Sequence, residues 1–91
     1  LINADLRKAN LSRADLQGAY LLLANLRKAD LRGARLTGAF LNGADLTGAR
    51  FSRADLTDAD LTNAIVNQSD IDNAILCRTR LPWGDISRDC G

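Results

Sequence analysis

The chain has 91 residues, of which 46% are hydrophobic but only 4% are aromatic, and its formal net charge is +1. A chain of this length forms one small domain. The near-neutral charge shows neither the basic excess of a nucleic-acid-binding protein nor the acidic excess of a DNA mimic. A core with so few aromatic side chains must be built from many small aliphatic ones, which is typical of a repeat protein.

Apolar residues recur at every fifth position along almost the whole chain. From residue 1 to residue 86 this register holds 14 Leu residues together with Phe51, Val66, Ile71 and Ile86. A second register, two positions earlier, runs from residue 4 to residue 74 and holds 14 Ala residues and one exception, Ser69. The chain is therefore a tandem array of five-residue units.

This spacing excludes a regular helix and a flat strand. A helical residue turns by about 100°, so a step of five turns by about 140° and spreads the leucines around the circumference. In a flat strand an odd step sends successive leucines to opposite faces. A coil of short extended segments that turn a corner in each repeat places every Ala and Leu inside. Gly and Asn tolerate corner backbone angles. They hold the second position after the leucine register at Gly18, Gly33, Gly38, Gly43, Gly48, Asn3, Asn63 and Asn73.

The length of one coil follows from the similarity of two segments. Residues 3–11 (NADLRKANL) and residues 23–31 (LANLRKADL) begin 20 positions apart. We therefore expect four repeats per coil and slightly more than four coils. Residues 20 apart then stack at about 4.8 Å, the spacing between β-strands.

With these registers the chain resembles the pentapeptide repeat family, whose unit is Ala, Asp or Asn, Leu and two variable residues. The resemblance covers residues 1–76. It implies an all-β fold, a right-handed quadrilateral parallel β-helix (a pentapeptide repeat solenoid) with the central Leu or Phe and the preceding Ala pointing inward. Members of the family mostly have no known biochemical activity. The best understood ones are acidic dimers that mimic DNA and protect topoisomerases from quinolones, whereas this chain is not acidic.

One face of the expected coil carries apolar side chains at positions that point outward. Tyr20 stacks near Phe40, and Ile2, Leu22 and Leu23 flank them. Exposed apolar clusters often mark interfaces, so we predict that this apolar patch binds another protein or a second copy of the chain. An open end of the coil is another possible homodimer surface. The alternatives are that preceding residues cover the patch or that it forms only a lattice contact.

A second surface feature is basic. Arg7 and Lys8 stack on Arg27 and Lys28, which predicts an anion contact in this basic patch or, alternatively, side chains that spread into solvent. No aromatic side chain lies beside the basic patch, so nucleic acid is not the expected partner.

Arginine replaces the usual Asp or Asn at three positions in columns that also hold Asp. The columns are Asp15, Arg35 and Asp55; Asp30, Arg50 and Asp70; and Asp60 followed by Arg80. We predict ion pairs across the coils, worth about 0.2–1 kcal/mol each, that relieve the stacking of like charges.

The repeat decays after Ala74. We assign residues 1–76 to the β-helix and residues 77–91 to a C-terminal cap and tail, in which Trp83 is available to cover the last leucine layer. Two cysteines, Cys77 and Cys90, are too few for a disulfide framework. A bridge within the irregular tail is one possibility, but we expect two reduced thiols.

The sequence offers no catalytic constellation. It has no His and no Glu, and its Asp residues fall in structural columns of the repeat. We predict no enzyme activity, no cofactor and no metal. The leading function is a structural or protein-interaction scaffold, and the alternative is a DNA-mimicking or anion-binding regulator such as a topoisomerase-interacting protein. No apolar run reaches the roughly 18 residues of a membrane helix. We therefore expect no membrane partner and favour a cytoplasmic location, with a removed targeting segment left open because the chain begins at Leu1.

Overall fold

Each five-residue repeat makes one extended step and one tight turn. After Leu6, the N–H of Ala9 donates to the Leu6 carbonyl at 3.1 Å, and Lys8 between them has a φ of 60°. A hydrogen bond across four residues with positive φ at the third is the pattern of a type II turn. Positive φ recurs at every fifth residue from Lys8 to Asn63. The chain therefore turns a corner in each of these repeats, as the spacing predicts.

Four corners complete one coil. The computed structural model describes residues 2–90, in which parallel β-bridges join residues 20 apart, such as Asp5 to Asn25 and Asn25 to Asp45. The fold is a right-handed quadrilateral parallel β-helix measuring 33 × 23 × 23 Å. The prediction of four repeats per coil is thus confirmed. We number the coils 1 (residues 2–20), 2 (21–40), 3 (41–60) and 4 (61–80).

The backbone hydrogen bonds explain why Asp or Asn precedes the leucine. In one repeat of coil 2 the N–H of Asn25 donates to coil 1, those of Leu26 and Lys28 donate to coil 3, and that of Ala29 closes the turn. The remaining N–H, that of Arg27, donates to Oδ1 of Asn25 at 3.2 Å. The Asp or Asn side chain thus accepts the one N–H for which the backbone provides no acceptor.

Leucine and alanine fill the interior. Every member of both registers from Leu21 to Leu61 is buried, with Phe51 taking one leucine position. In coil 1, by contrast, Leu6, Leu11 and Leu16 are only half-buried. The apolar core of the described residues therefore lies in coils 2 to 4.

Regular turning ends in coil 4. A short α-helix, α1 (Gln68–Ile71), forms where Ser69 interrupts the alanine register. It is followed by an antiparallel hairpin of β1 (Thr79–Leu81) and β2 (Gly84–Ile86). Thr79 takes an alanine position, is fully buried, and donates its hydroxyl to the Leu56 carbonyl at 2.7 Å. No helix among residues 2–90 is long and apolar enough to cross a membrane.

Two expectations about the tail are wrong. Cys77 and Cys90 form a disulfide with Cα atoms 4.9 Å apart, and are not reduced thiols. The tail folds back because the N–H of Leu76 donates to the carboxylate of Asp89 at 3.0 Å, which brings Cys90 to coil 4. Trp83 lies in the turn of the hairpin and is 45% exposed, so it does not cover the last leucine layer. The cap buries smaller side chains against the core instead, among them Leu81 and part of Ile86.

Candidate functional site: an apolar corner and two arginine-bearing surfaces

The five residues of the apolar patch meet at one corner of coils 1 and 2. The rings of Tyr20 and Phe40 are stacked, with centroids 5.0 Å apart and planes 5° apart. The N–H of Asn3 donates to the Leu22 carbonyl at 3.0 Å, which places Ile2 and Leu22 on neighbouring coils. Tyr20 is 60% exposed and Leu23 is 58% exposed, whereas Leu22 is half-buried. The structure therefore brings together all the residues that the sequence assigned to this patch.

The apolar patch breaks one local rule of the repeat. Tyr20 and Phe40 occupy the position where Asp or Asn accepts a backbone N–H in most repeats, so they provide no such acceptor. Leu23 has a φ of 59°, the left-handed conformation that the other corners of the β-helix also adopt. A departure from the repeat such as the aromatic pair is expected at functional sites.

The basic patch is assembled, and half of its charge is neutralised. The N–H of Lys8 donates to the Arg27 carbonyl at 2.9 Å, so the corner of Arg7 and Lys8 does stack on that of Arg27 and Lys28. The guanidinium of Arg7, however, binds Asp5 through two hydrogen bonds of 2.8 and 2.7 Å. Arg27 reaches across to Asp45 at 3.4 Å. Two of the four basic side chains thus already have carboxylate partners.

These local pairs alter the titration of their carboxylates. Hydrogen bonds from the side chain and N–H of Arg7 lower the pKa of Asp5 to about 2. Hydrogen bonds from Arg32 lower the pKa of Asp30 to about 2 in the same way. In both cases the arginine lies two residues after the Asp, and the corner between them folds the arginine side chain back over the carboxylate.

One of the predicted cross-coil ion pairs forms. Arg80 Nη1 lies 3.8 Å from the carboxylate of Asp60. Arg35 makes no ion pair with its column neighbours in the part of the chain that the structure describes, so the prediction is wrong for this residue. Its guanidinium instead faces Gln17, whose amide oxygen accepts its N–H groups at 2.7 and 3.0 Å when oriented to satisfy them.

The pairing predicted for Arg50 is also wrong. Asp30 and Arg50 are bridged neighbours, but Asp30 is bound by Arg32 at 2.7 Å. Helix α1 contains Asp70, and no β-bridge joins that residue to Arg50 among residues 2–90.

Negative charge is interleaved with positive charge over the surface. A DNA mimic needs a continuous acidic face, but four carboxylates of the helix corners and columns are each held by an arginine. The pairs are Asp5 with Arg7, Asp30 with Arg32, Asp45 with Arg27 and Asp58 with Arg78. Among residues 2–90, no group of three or more His, Cys, Asp or Glu side chains is placed to hold a metal ion.

Sequence reasoning missed a groove on the corner diagonally opposite the apolar patch. This arginine groove has a volume of about 860 Å³. It is lined by Ser12, Arg13, Arg32, Gly33, Ser52, Arg53 and Asn73. The signal was present in the sequence, because Arg13, Gly33 and Arg53 are 20 residues apart and so fall in one column.

The comparisons with known proteins agree with this architecture. Residues 1–33, 24–63 and 54–88 match the sequence profile of pentapeptide repeats, with eight copies. The protein is similar to alr5209, a pentapeptide repeat protein from Nostoc PCC 7120, with 39% identity over 82% of this chain and 66% of that one, and a TM-score of 0.64. It is similar to HetL, a pentapeptide repeat protein of the same cyanobacterium that is involved in heterocyst differentiation regulation. That likeness has 32% identity over 92% of this chain and 47% of HetL, with a TM-score of 0.52.

A third similar structure is Rfr23 from the cyanobacterium Cyanothece 51142, with 28% identity over 94% of this chain and 58% of that one, and a TM-score of 0.54. No curated protein matches the sequence. The chain spans about half to two thirds of the length of these structures. It belongs to the pentapeptide repeat family, whose members are generally non-enzymatic scaffolds.

Proposed function

We propose that this protein is a non-catalytic interaction scaffold that binds a protein partner through its apolar patch. The observation that carries the proposal is the stacked pair of Tyr20 and Phe40, which stands exposed in a column position that most repeats fill with Asp or Asn. Outward aromatic residues add nothing to the buried Leu and Ala layers. Burying them against a partner would remove apolar surface from water, and this would contribute favourable free energy to binding.

A second copy of the chain is the partner that these observations favour. The patch has no charged member, so two patches facing each other meet apolar surface with apolar surface. The net charge of +1 also opposes association only weakly. A two-fold contact uses the same patch on both molecules, so Tyr20 and Phe40 would be buried twice in one interface.

The test compares two variants that make the same chemical change. Tyr20→Asp and Ile65→Asp each restore the acidic residue of the repeat, and the two side chains are similarly exposed, at 60% and 57%. Ile65 belongs to a different column, below Asp45. Sedimentation velocity over a concentration series should show self-association of the native protein, its loss in Tyr20→Asp, and its retention in Ile65→Asp. A native protein that stays monomeric at high concentration would contradict the homodimer.

The absence of His and Glu from the sequence supports the non-catalytic part of the proposal. A DNA-mimicking role has less support. Arginine interrupts three of the four columns at the Asp or Asn position of the repeat, and in the fourth column Asp5 and Asp45 are each paired with an arginine. Gyrase supercoiling assays with and without the protein test this alternative. Protection of the enzyme from a quinolone would favour the mimic over the scaffold.

A further inference from the structure

The arginine groove carries positive charge that no carboxylate neutralises. Within residues 2–90 the guanidinium groups of Arg13 and Arg53 make no ion pair and no side-chain hydrogen bond, in contrast to the arginines of the basic patch. Arg32 is bound to Asp30 through Nε and Nη2, at 2.9 and 2.7 Å, and its Nη1 takes no part in these bonds. Positive charge is therefore in excess at this corner.

The shape of the groove comes from a missing side chain. Gly33 lies in the column between Arg13 and Arg53, and its N–H is bonded to coil 3 through the Ser52 carbonyl at 2.9 Å. The backbones of the two arginines are two coils apart, about 9–10 Å, so both long side chains can reach the space above the glycine. A Cβ at residue 33 would begin to fill this space, since it would lie 3.4 Å from Arg13 Cγ.

The groove also contains a backbone donor that the repeat normally satisfies. In coils 1 and 2 the side chains of Asn10 and Asp30 accept the N–H two residues later, at 3.2 and 3.1 Å. In coil 3 the corresponding residue is Arg50, whose side chain contains no hydrogen-bond acceptor. The N–H of Ser52 therefore has no acceptor among the described residues. The N–H of Ser52, which lines the groove together with Arg13 and Arg53, thus lacks the acceptor oxygen that the two preceding coils provide.

We propose that the arginine groove binds a phosphate group, whose oxygens accept hydrogen bonds from Arg13, Arg53 and the N–H of Ser52. A tetrahedral dianion matches this set because it offers several acceptors to guanidinium and backbone donors at once. The hydroxyl of Ser52 lies in the same groove and is a further donor.

The groove suits a compact anion and not a long polyanion. The column of Arg13, Gly33 and Arg53 continues into coil 4 as the uncharged Asn73. The column of Ser52 continues as Asp72, which is paired with Arg88 at 3.9 Å. The stack of Tyr20 and Phe40 lies at the diagonally opposite corner, so it does not provide a platform for bases beside the site. This binding site is independent of the apolar patch, and its failure would leave the scaffold proposal untouched.

The experiment is a titration of the isotope-labelled protein, followed by two-dimensional amide NMR near neutral pH at constant ionic strength. Inorganic phosphate and O-phosphoserine are the two probes, and sodium chloride is the reference. We expect a saturable shift of the Ser52 amide with phosphate and none with chloride. Tighter binding of O-phosphoserine would identify a phosphate ester as the source, and equal or weaker binding would identify free phosphate.

Three variants make the test specific. Arg13→Gly with Arg53→Gly places glycine at two corners with positive φ, so the fold is retained while affinity falls about tenfold or more. Lys8→Gly with Lys28→Gly removes the same charge from equivalent corners of another column and should leave affinity unchanged. Arg50→Asp supplies the missing acceptor to Ser52 and should abolish binding. No saturable shift at Ser52 with either probe, or equal weakening by the lysine pair, would overturn the proposal.

Discussion

Leu23 packs over Gly43 on the next coil, so closely that a Cβ built on the glycine would lie 2.7 Å from Leu23 Cδ2. Both residues occupy corner positions of one column, with φ values of 59° and 69°. The glycine therefore serves two purposes, since it adopts the left-handed corner and leaves room for an apolar side chain that belongs to the apolar patch.

Replacement of this glycine should cost more than replacement of another corner glycine. Gly43→Ala adds left-handed strain, roughly 1–2 kcal/mol, and must also displace Leu23 from its rotamer, roughly another 0.5–1.5 kcal/mol. Gly38→Ala is the matched control, because its φ is also 69° but no atom lies within 4 Å of its added Cβ. Denaturant unfolding of both variants measures the difference. Equal free energies of unfolding would show that Leu23 does not depend on the glycine.

The Asp of each repeat should stabilise the corner through its side-chain hydrogen bonds. Asp55 Oδ1 accepts both the N–H and the hydroxyl of Thr57, at 3.0 and 2.6 Å. We expect Asp55→Ala to lower the free energy of unfolding by about 1–2 kcal/mol. Arg35→Ala changes the preceding member of the same column, which caps no backbone N–H, and should change stability by less than about 0.5 kcal/mol. Similar losses in both variants would mean that the cap contributes little.

The disulfide should anchor the tail and stabilise the last coil. Cys77 and Cys90 are separated by 13 positions, and closing a loop of this size restricts the unfolded chain by an amount worth about 2–4 kcal/mol. Reduction should therefore lower the denaturant midpoint and remove the hydrogen-exchange protection of the Leu76 N–H, which donates to Asp89. Cys90→Ser provides the control, since its stability should not respond to reductant. Rapid labelling of both cysteines in the folded, unreduced protein would show that they are not bridged.

Acid should weaken the fold through the carboxylates that arginine holds. The pKa of Asp30 is lowered from 3.8 to about 2 by the hydrogen bonds of Arg32. Because the folded pKa lies below the unfolded one, the ionised Asp30 stabilises the fold above about pH 4, and this stabilisation is lost as the pH falls towards 2. Carboxyl NMR titration of the native protein measures the pKa directly.

The control for this titration is another arginine of the same corner. Arg32→Gln should raise the pKa of Asp30 towards its ordinary value, whereas Arg13→Gln should leave it unchanged because Arg13 does not contact that carboxylate. An unaltered pKa in Arg32→Gln would show that the two hydrogen bonds are absent in solution.

The sequence by itself determined the β-helix, its four-repeat coil and the membership of the apolar patch. The reason is that in a solenoid the repeat period alone sets which residues are neighbours on adjacent coils. Once the period is known, residue i lies beside residue i+20, so Tyr20 must stand next to Phe40 and Lys8 next to Lys28. The inward positions of Ala and Leu follow from the same period.

The partner that each long side chain chooses was decided only by the tertiary structure. Backbone columns predicted that Arg35 would bind the carboxylates above and below it, but the corner geometry turns it towards Gln17, while Arg32 folds back onto Asp30 within its own repeat. Several acceptors lie within reach of a flexible guanidinium, and a period cannot rank them.

The same limit applies where the period ends. Beyond Ala74 no register specifies which residues meet. The sequence therefore leaves the bridge between Cys77 and Cys90 as the less favoured alternative and does not indicate the exposed turn at Trp83. The arginine groove depends partly on the period and partly on the fold. Its column of Arg13, Gly33 and Arg53 is readable from the sequence. The lack of a carboxylate partner for the two arginines is decided by corner geometry, which the period does not specify.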